Sequence, residues 1–175
     1  MSGLQQFGGD WTVEKLEIFT GYLDAYLIAL KNMNFKKIYI DAFAGTGTIT
    51  TRDESKVLMG SAKRALLAEN KFDHYYFIEA KKKKAAELER MISLDFPNLK
   101  ERTTVYCGDA NEKLKQIIGT IDWRYNRALL FLDPCATEVA WATLEAVAAT
   151  KAFDVWYLFP FSALNRMLRR DGNIS

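Results

Sequence analysis

Cysteine, proline and histidine are all scarce in this 175-residue chain, which has two, three and one of them. Cys107 and Cys135 stand far apart and form no CxxC pair. Free thiols in a reducing cytoplasm are therefore expected, with no disulfide framework. The lone histidine, His74, precedes an apolar run and reads as structural. No HExxH, no GxSxG and no cluster at metal-ligand spacing occurs, so hydrolase and metalloenzyme chemistry lack their residues. No apolar run approaches about 18 residues, so no membrane span is expected. The first residues, MSGLQQFGGDW, lack the charged-then-apolar order of a signal peptide. Neither sign of charge dominates: 24 basic and 22 acidic side chains leave a net charge of +2. That balance neither requires a nucleic-acid partner nor excludes one. Internal repeats and low-complexity linkers are missing as well.

What is present is an ordinary globular composition, 49% hydrophobic and 26% charged, on a length that suits one domain. Residues 1–35 read as a helical segment leading a Rossmann-like domain over 36–175. Val13, Leu16, Phe19, Leu23, Tyr26, Leu27 and Leu30 recur at helical spacing, predicting a helix from Trp11 to Asn32 with Asp10 as its N-cap. KKIYIDAF follows as a buried strand. Thr48 to Met59 reads as a polar loop, after which Gly60-Ser61 opens a helix with Ser61 as cap. Strands are then predicted at Tyr75–Glu79, Thr103–Cys107, Arg127–Leu132 and Phe153–Phe159. Helices are predicted at Lys81–Phe96, Glu112–Ile118 and Glu138–Thr150, with a last one over Phe161–Arg170. Strand and helix alternate, and the strands are continuously apolar. That pattern predicts an α/β fold: a mostly parallel sheet with helices on both faces. In such folds ligands bind beyond the carboxyl ends of the strands, so the residues there are the ones to weigh.

The first strand runs into Asp41-Ala42-Phe43-Ala44-Gly45-Thr46-Gly47, a turn whose small residues let backbone approach a ligand. The dinucleotide fingerprint needs a third glycine where Thr50 stands, and no Gly-Lys-Ser/Thr triplet occurs. A nicotinamide-dinucleotide binder and a P-loop enzyme are thus both poorly supported. The second strand ends in Glu79, placed to accept ribose hydroxyl hydrogen bonds, or simply to sit at a helix N-terminus. The third ends before Asp109-Ala110-Asn111, where Asp109 serves equally as a ligand contact and as an N-cap. The fourth ends in Asp133-Pro134-Cys135.

These strand ends resemble the class I S-adenosylmethionine (SAM) methyltransferases. Asp41-x-Phe43-x-Gly45-x-Gly47 is similar to their first motif, in the form found in enzymes that methylate nucleobases. The resemblance implies SAM as cofactor, with Asp41, Phe43, Ala44, Gly45, Thr46 and Gly47 around its methionine half. It further implies Glu79 on the ribose, with Asp109 and Ala110 on the adenine. Asp133-Pro134 resembles the acceptor motif Asp-Pro-Pro-aromatic, which implies that Asp133 and Pro134 orient a target amine. Cys135 and Ala136 depart from that motif. In combination with Trp11, Lys15, Gly60-Ser61, Asn111 and the run Asp154–Pro160, the chain looks like the three-Cys-motif partner proteins. These are bacterial, methyltransferase-like proteins named for a radical-SAM-like genomic neighbour.

Two functions stay open on this reading: methyl transfer to an amine or other nucleophile, a nucleobase among the candidates, and a non-catalytic SAM-fold module serving its three-cysteine partner. The class I sheet has two more strands than the five found here, so its last strands are expected to be missing. The exposed edge would then suit a partner subunit or a second copy of the chain. Lys81–Lys84 and Arg166, Arg169 and Arg170 are basic clusters that read as solvated surface, with nucleic-acid contact as the competing reading. Lys15 reads as a surface lysine, with a carboxylate or substrate contact as the alternative.

Overall fold

A computed structural model describes residues 10–50, 57–134 and 138–159. Its frame is a five-stranded, all-parallel sheet made of β1 (Lys36–Asp41), β4 (His74–Glu79), β5 (Thr103–Cys107), β6 (Asn126–Leu132) and β7 (Phe153–Tyr157). The spatial order is β5-β4-β1-β6-β7. The chain winds outward from β1 to β5 on one side, then returns and winds outward through β6 and β7 on the other. This is the doubly wound, Rossmann-like order, and its switch point lies between β1 and β6. The predicted fold class is therefore the one observed.

Burial follows position in the sheet. The ends of β1 and β6 are buried on both faces, whereas the outer strands β5 and β7 stay partly open. Parallel strands sandwiched between helices lose water on both sides, and so read as unbroken apolar runs. The two faces differ in chemistry. Tyr39, Phe77 and Phe131 point into an aromatic core with Phe19, Leu23 and Tyr26 of α1 (Asp10–Ala29) and Leu88 of α3 (Lys82–Asp95). Ile38, Ile40, Ile78, Leu130 and Leu132 point the other way, onto Leu114 and Ile117 of α4 (Ala110–Thr120) and Val147 of α5 (Trp141–Ala149). Period-two alternation along each strand sorts the residues between these faces.

Four local expectations are corrected. The stretch read as a polar loop contains a short antiparallel pair, β2 (Thr48–Thr50) and β3 (Val57–Met59), which brings the Gly60 N–H to the Gly47 carbonyl at 2.9 Å. Helix α1 begins at Asp10 and ends at Ala29, three residues short of Asn32. Ser61 is not a cap: α2 (Ser61–Leu67) has Gly60 at its N-cap, and the serine hydroxyl is spent elsewhere. Helix α5 starts at Trp141 rather than Glu138 because Asn111 holds the preceding residues. Its Nδ2 donates to the Glu138 carbonyl at 2.8 Å, and its Oδ1 accepts from the Ala140 N–H at 2.8 Å and the Thr143 hydroxyl at 2.9 Å. Cys135, Ala136 and the helix and arginine cluster predicted beyond Phe159 lie outside the described residues.

Candidate functional site at the carboxyl ends of the strands

Asp41 closes β1 and is fully buried. Its Oδ2 accepts from the Ser61 hydroxyl at 2.6 Å and from the Tyr39 hydroxyl at 3.4 Å, and its Oδ1 accepts from the Phe43 N–H at 3.1 Å. Burial nevertheless outweighs these donors and raises the carboxyl pKa from 3.8 to about 7, with nearby Asp133 adding to the rise. An acid so enclosed organises the turn that follows it, and any part it takes in ligand binding passes through that turn.

The turn itself needs its glycines. Gly45 and Gly47 have φ of 63° and 79°, a region that side-chain-bearing residues rarely adopt. A Cβ on Gly47 would also stand 2.5 Å from Met91 Cε. A Cβ on Gly45 would meet nothing within 4 Å, so the backbone there presents an open face. Phe43 and Thr46 are half-buried beside it, and Ala44 is buried.

Glu79 ends β4 next to this turn. Its Oε2 accepts from the Gly45 N–H at 3.1 Å and its Oε1 from the Lys81 N–H at 2.8 Å. The two strand ends are thereby tied by a carboxylate that still has lone pairs to offer, since an ionised carboxylate accepts at about four sites. Asp109 follows β5 and caps α4, its Oδ1 accepting from the Glu112 N–H at 3.0 Å. It is exposed, and Ala110 behind it is buried.

Asp133 and Pro134 follow β6, directly across the switch point from the glycine turn. Pro134 is buried. Asp133 is half-buried, and its Oδ2 lies 2.7 Å from Lys15 Nζ. The lysine is not a free surface residue. It reaches from α1 to the end of β6 across 118 positions of sequence, and its side chain is only 18% exposed. The spacing of α1 gave no reason to pair these two groups; only the fold does. Cys107 is a free, exposed thiol at the end of β5, and Lys81–Lys84 form a solvated run. His74 shares a hydrogen bond with Thr104 at 3.0 Å on the sheet. Among the described residues no group of side chains could hold a metal ion, and no helix is long and apolar enough to cross a membrane.

The chain matches no family model, and no curated protein matches it. Several solved structures align with it. A Legionella pneumophila protein aligns with a TM-score of 0.59 at 17% identity, over 81% of this chain and 66% of its own. Magnesium protoporphyrin IX methyltransferase from Synechocystis, solved with bound SAM, aligns at 0.45 and 13% identity, over 88% of this chain and 62% of its own. An rRNA methylase from Streptococcus thermophilus aligns at 0.41 and 15%, over 81% of this chain and 70% of its own. The chain thus spans about two thirds of each of these proteins. The first of them supports the α/β fold independently of the strand order.

Proposed function

We propose that this chain binds SAM at the carboxyl end of its sheet and transfers the methyl group to an amine. The observation that carries the reading is the placement of Glu79 against the Gly45–Gly47 turn, with Asp133 on the neighbouring strand across the switch point. The residues present fit the cofactor. An open glycine backbone offers close approach, Glu79 supplies acceptors for a ribose diol, and Asp109 stands at the end of the next strand for the adenine. When bound, SAM supplies an electrophilic methyl group on a sulfonium.

The chain's own contribution is positioning. Asp133 accepts a hydrogen bond from the acceptor N–H, which turns the nitrogen lone pair away from the carboxylate. With SAM bound there, the nitrogen would take the methyl group as the S–C bond broke, and S-adenosylhomocysteine would be the leaving group. The proton lost from nitrogen passes to solvent through Asp133. Asp133, with the Lys15 ammonium 2.7 Å from its Oδ2, acts as a hydrogen-bond acceptor that orients the amine. No covalent nucleophile takes part.

Calorimetric titration of SAM, S-adenosylhomocysteine and NAD into the protein tests the cofactor. Micromolar binding of the first two, absent for NAD and lost in Glu79→Ala, is expected. Tighter binding of NAD, or SAM binding that ignores Glu79→Ala, would sink the reading. Asp133→Ala should then abolish transfer while leaving SAM affinity nearly intact.

A second reading is favoured by the same ion pair. If Lys15 keeps Asp133 occupied, the domain is a non-catalytic partner subunit of a three-Cys-motif protein, consistent with the resemblance at Tyr39–Gly47 and Phe131–Pro134. Stable co-purification with that neighbour's product, together with no methyl transfer to any amine tried, would favour it.

A further inference from the structure

Lys15 and Asp133 together form a paired donor and acceptor at the end of β6. The ammonium carries three N–H donors, one of which goes to Asp133 Oδ2 at 2.7 Å. The carboxylate has a second oxygen. The two heads lie side by side, partly shielded from water, with the lysine 18% and the aspartate 35% exposed. The lysine is held by α1 and the aspartate by the central strand β6, so both positions are fixed by the core beneath them: Leu16 and Phe19 on one side, Phe131 and Leu132 on the other.

We infer that Lys15 is a specificity-determining residue, and that the Lys15–Asp133 pair reads the amino–imine edge of adenine or cytosine. This rests on the amine-transfer reading above. On both bases an exocyclic N–H₂ donor sits next to an unprotonated ring nitrogen: N6 and N1 of adenine, N4 and N3 of cytosine. Asp133 accepts from the amine while Lys15 donates to the ring nitrogen. The other bases fail for stated reasons. Uracil and thymine have no exocyclic amine. Guanine N2 is flanked by a protonated N1, which sets donor against the lysine donor, and on its other side by N3, which the sugar crowds. A half-buried ammonium facing the wrong edge loses a charge-assisted hydrogen bond, and discrimination of roughly tenfold or more is the usual consequence.

The test uses uridine oligonucleotides carrying one adenosine, cytidine, guanosine or 1-deazaadenosine, with the all-uridine strand as reference. Binding is read by fluorescence anisotropy with S-adenosylhomocysteine present, so turnover is not required. The adenosine or cytidine strand, or both, should bind at least about tenfold tighter than the guanosine, 1-deazaadenosine and uridine strands. Which of the two prevails identifies the base. In Lys15→Met the gap between adenosine and 1-deazaadenosine should close. Equal binding of all strands while S-adenosylhomocysteine binds normally overturns this inference and leaves the cofactor reading standing. So does unchanged discrimination in Lys15→Met, and so does a preference for guanosine. Failure of S-adenosylhomocysteine to bind overturns the cofactor reading and this inference together. The preference for adenosine or cytidine over guanosine and uridine is read on the unaltered protein, so that test stands even if Lys15→Met fails to fold.

Discussion

Replacing Asp41 by Asn should change how stability depends on pH more than it changes stability itself. Asp41 is fully buried, and its carboxyl pKa is raised from 3.8 to about 7, mainly by burial. The folded state therefore holds a proton that the unfolded chain has already released between about pH 4 and pH 7. Fewer protons on the unfolded state means that stability falls as pH rises through that window. The span from 3.8 to about 7 is roughly three pK units at about 1.4 kcal/mol each, or on the order of 4 kcal/mol in all. About 3 kcal/mol of this lies between pH 5 and pH 8. Asparagine matches the protonated acid in shape. Its oxygen can still accept from the Phe43 N–H, while the Ser61 and Tyr39 hydroxyls turn to accept from its amide. Urea unfolding of both proteins at pH 5 and pH 8 isolates the effect, because the other titrating groups cancel in the comparison. The two midpoints should nearly coincide at pH 5. At pH 8 the Asn variant should unfold roughly 1 M later, taking a urea slope of about 2–3 kcal/mol per M. Parallel pH profiles would refute the reasoning, since they would mean that the Asp41 charge is fully compensated where it sits.

Three further outcomes follow from the same geometry. Ser61→Ala removes the shortest donor to Asp41, a contact that holds its pKa down; the loss of stability with rising pH should therefore continue to higher pH in that variant, as urea midpoints across pH 5 to 9 will show. Gly47→Ala combines a φ of 79° with a Cβ placed 2.5 Å from Met91 Cε, and should cost about 1–3 kcal/mol in thermal or urea unfolding. Pairing it with Met91→Ala should recover the steric part and leave the backbone part. Asn111→Ala removes the partner of the Ala140 N–H and one donor to the Glu138 carbonyl; a loss of about 1–2 kcal/mol is expected, with faster hydrogen exchange at the Ala140 amide as the local readout.

The sheet was legible in the sequence because its signal is local. Strands such as Arg127–Leu132 are apolar on both faces, and only a strand buried under helices on both sides needs that pattern. The order of acids at the strand ends was legible for the same reason, since each follows directly on its strand. What escaped depends on residues far apart. Ser61 has the identity of a cap, but its hydroxyl is taken by Asp41, twenty positions earlier. Helix α5 starts late because the Glu138 carbonyl and the Ala140 N–H before it are held by Asn111 on another helix. The β2–β3 pair has three residues on each side, too few for alternation to stand out from a polar loop. A carboxylate contact was open for Lys15, but Asp133 stands 118 positions away and no periodicity names it as the partner. Long-range polar contacts are chosen by the fold, not by propensity, and three of them, Ser61 to Asp41, Gly45 to Glu79 and Lys15 to Asp133, tie the candidate site together.

The chain between Asp133 and Glu138 is fastened at both ends by side chains from other elements. Lys15 grips the first residue and Asn111 the last. Two moorings on separate helices can be loosened one at a time: Lys15 sets where the Asp133 carboxylate stands, and Asn111 sets where α5 begins. The acceptor side of the site and the helix behind it can therefore be altered separately.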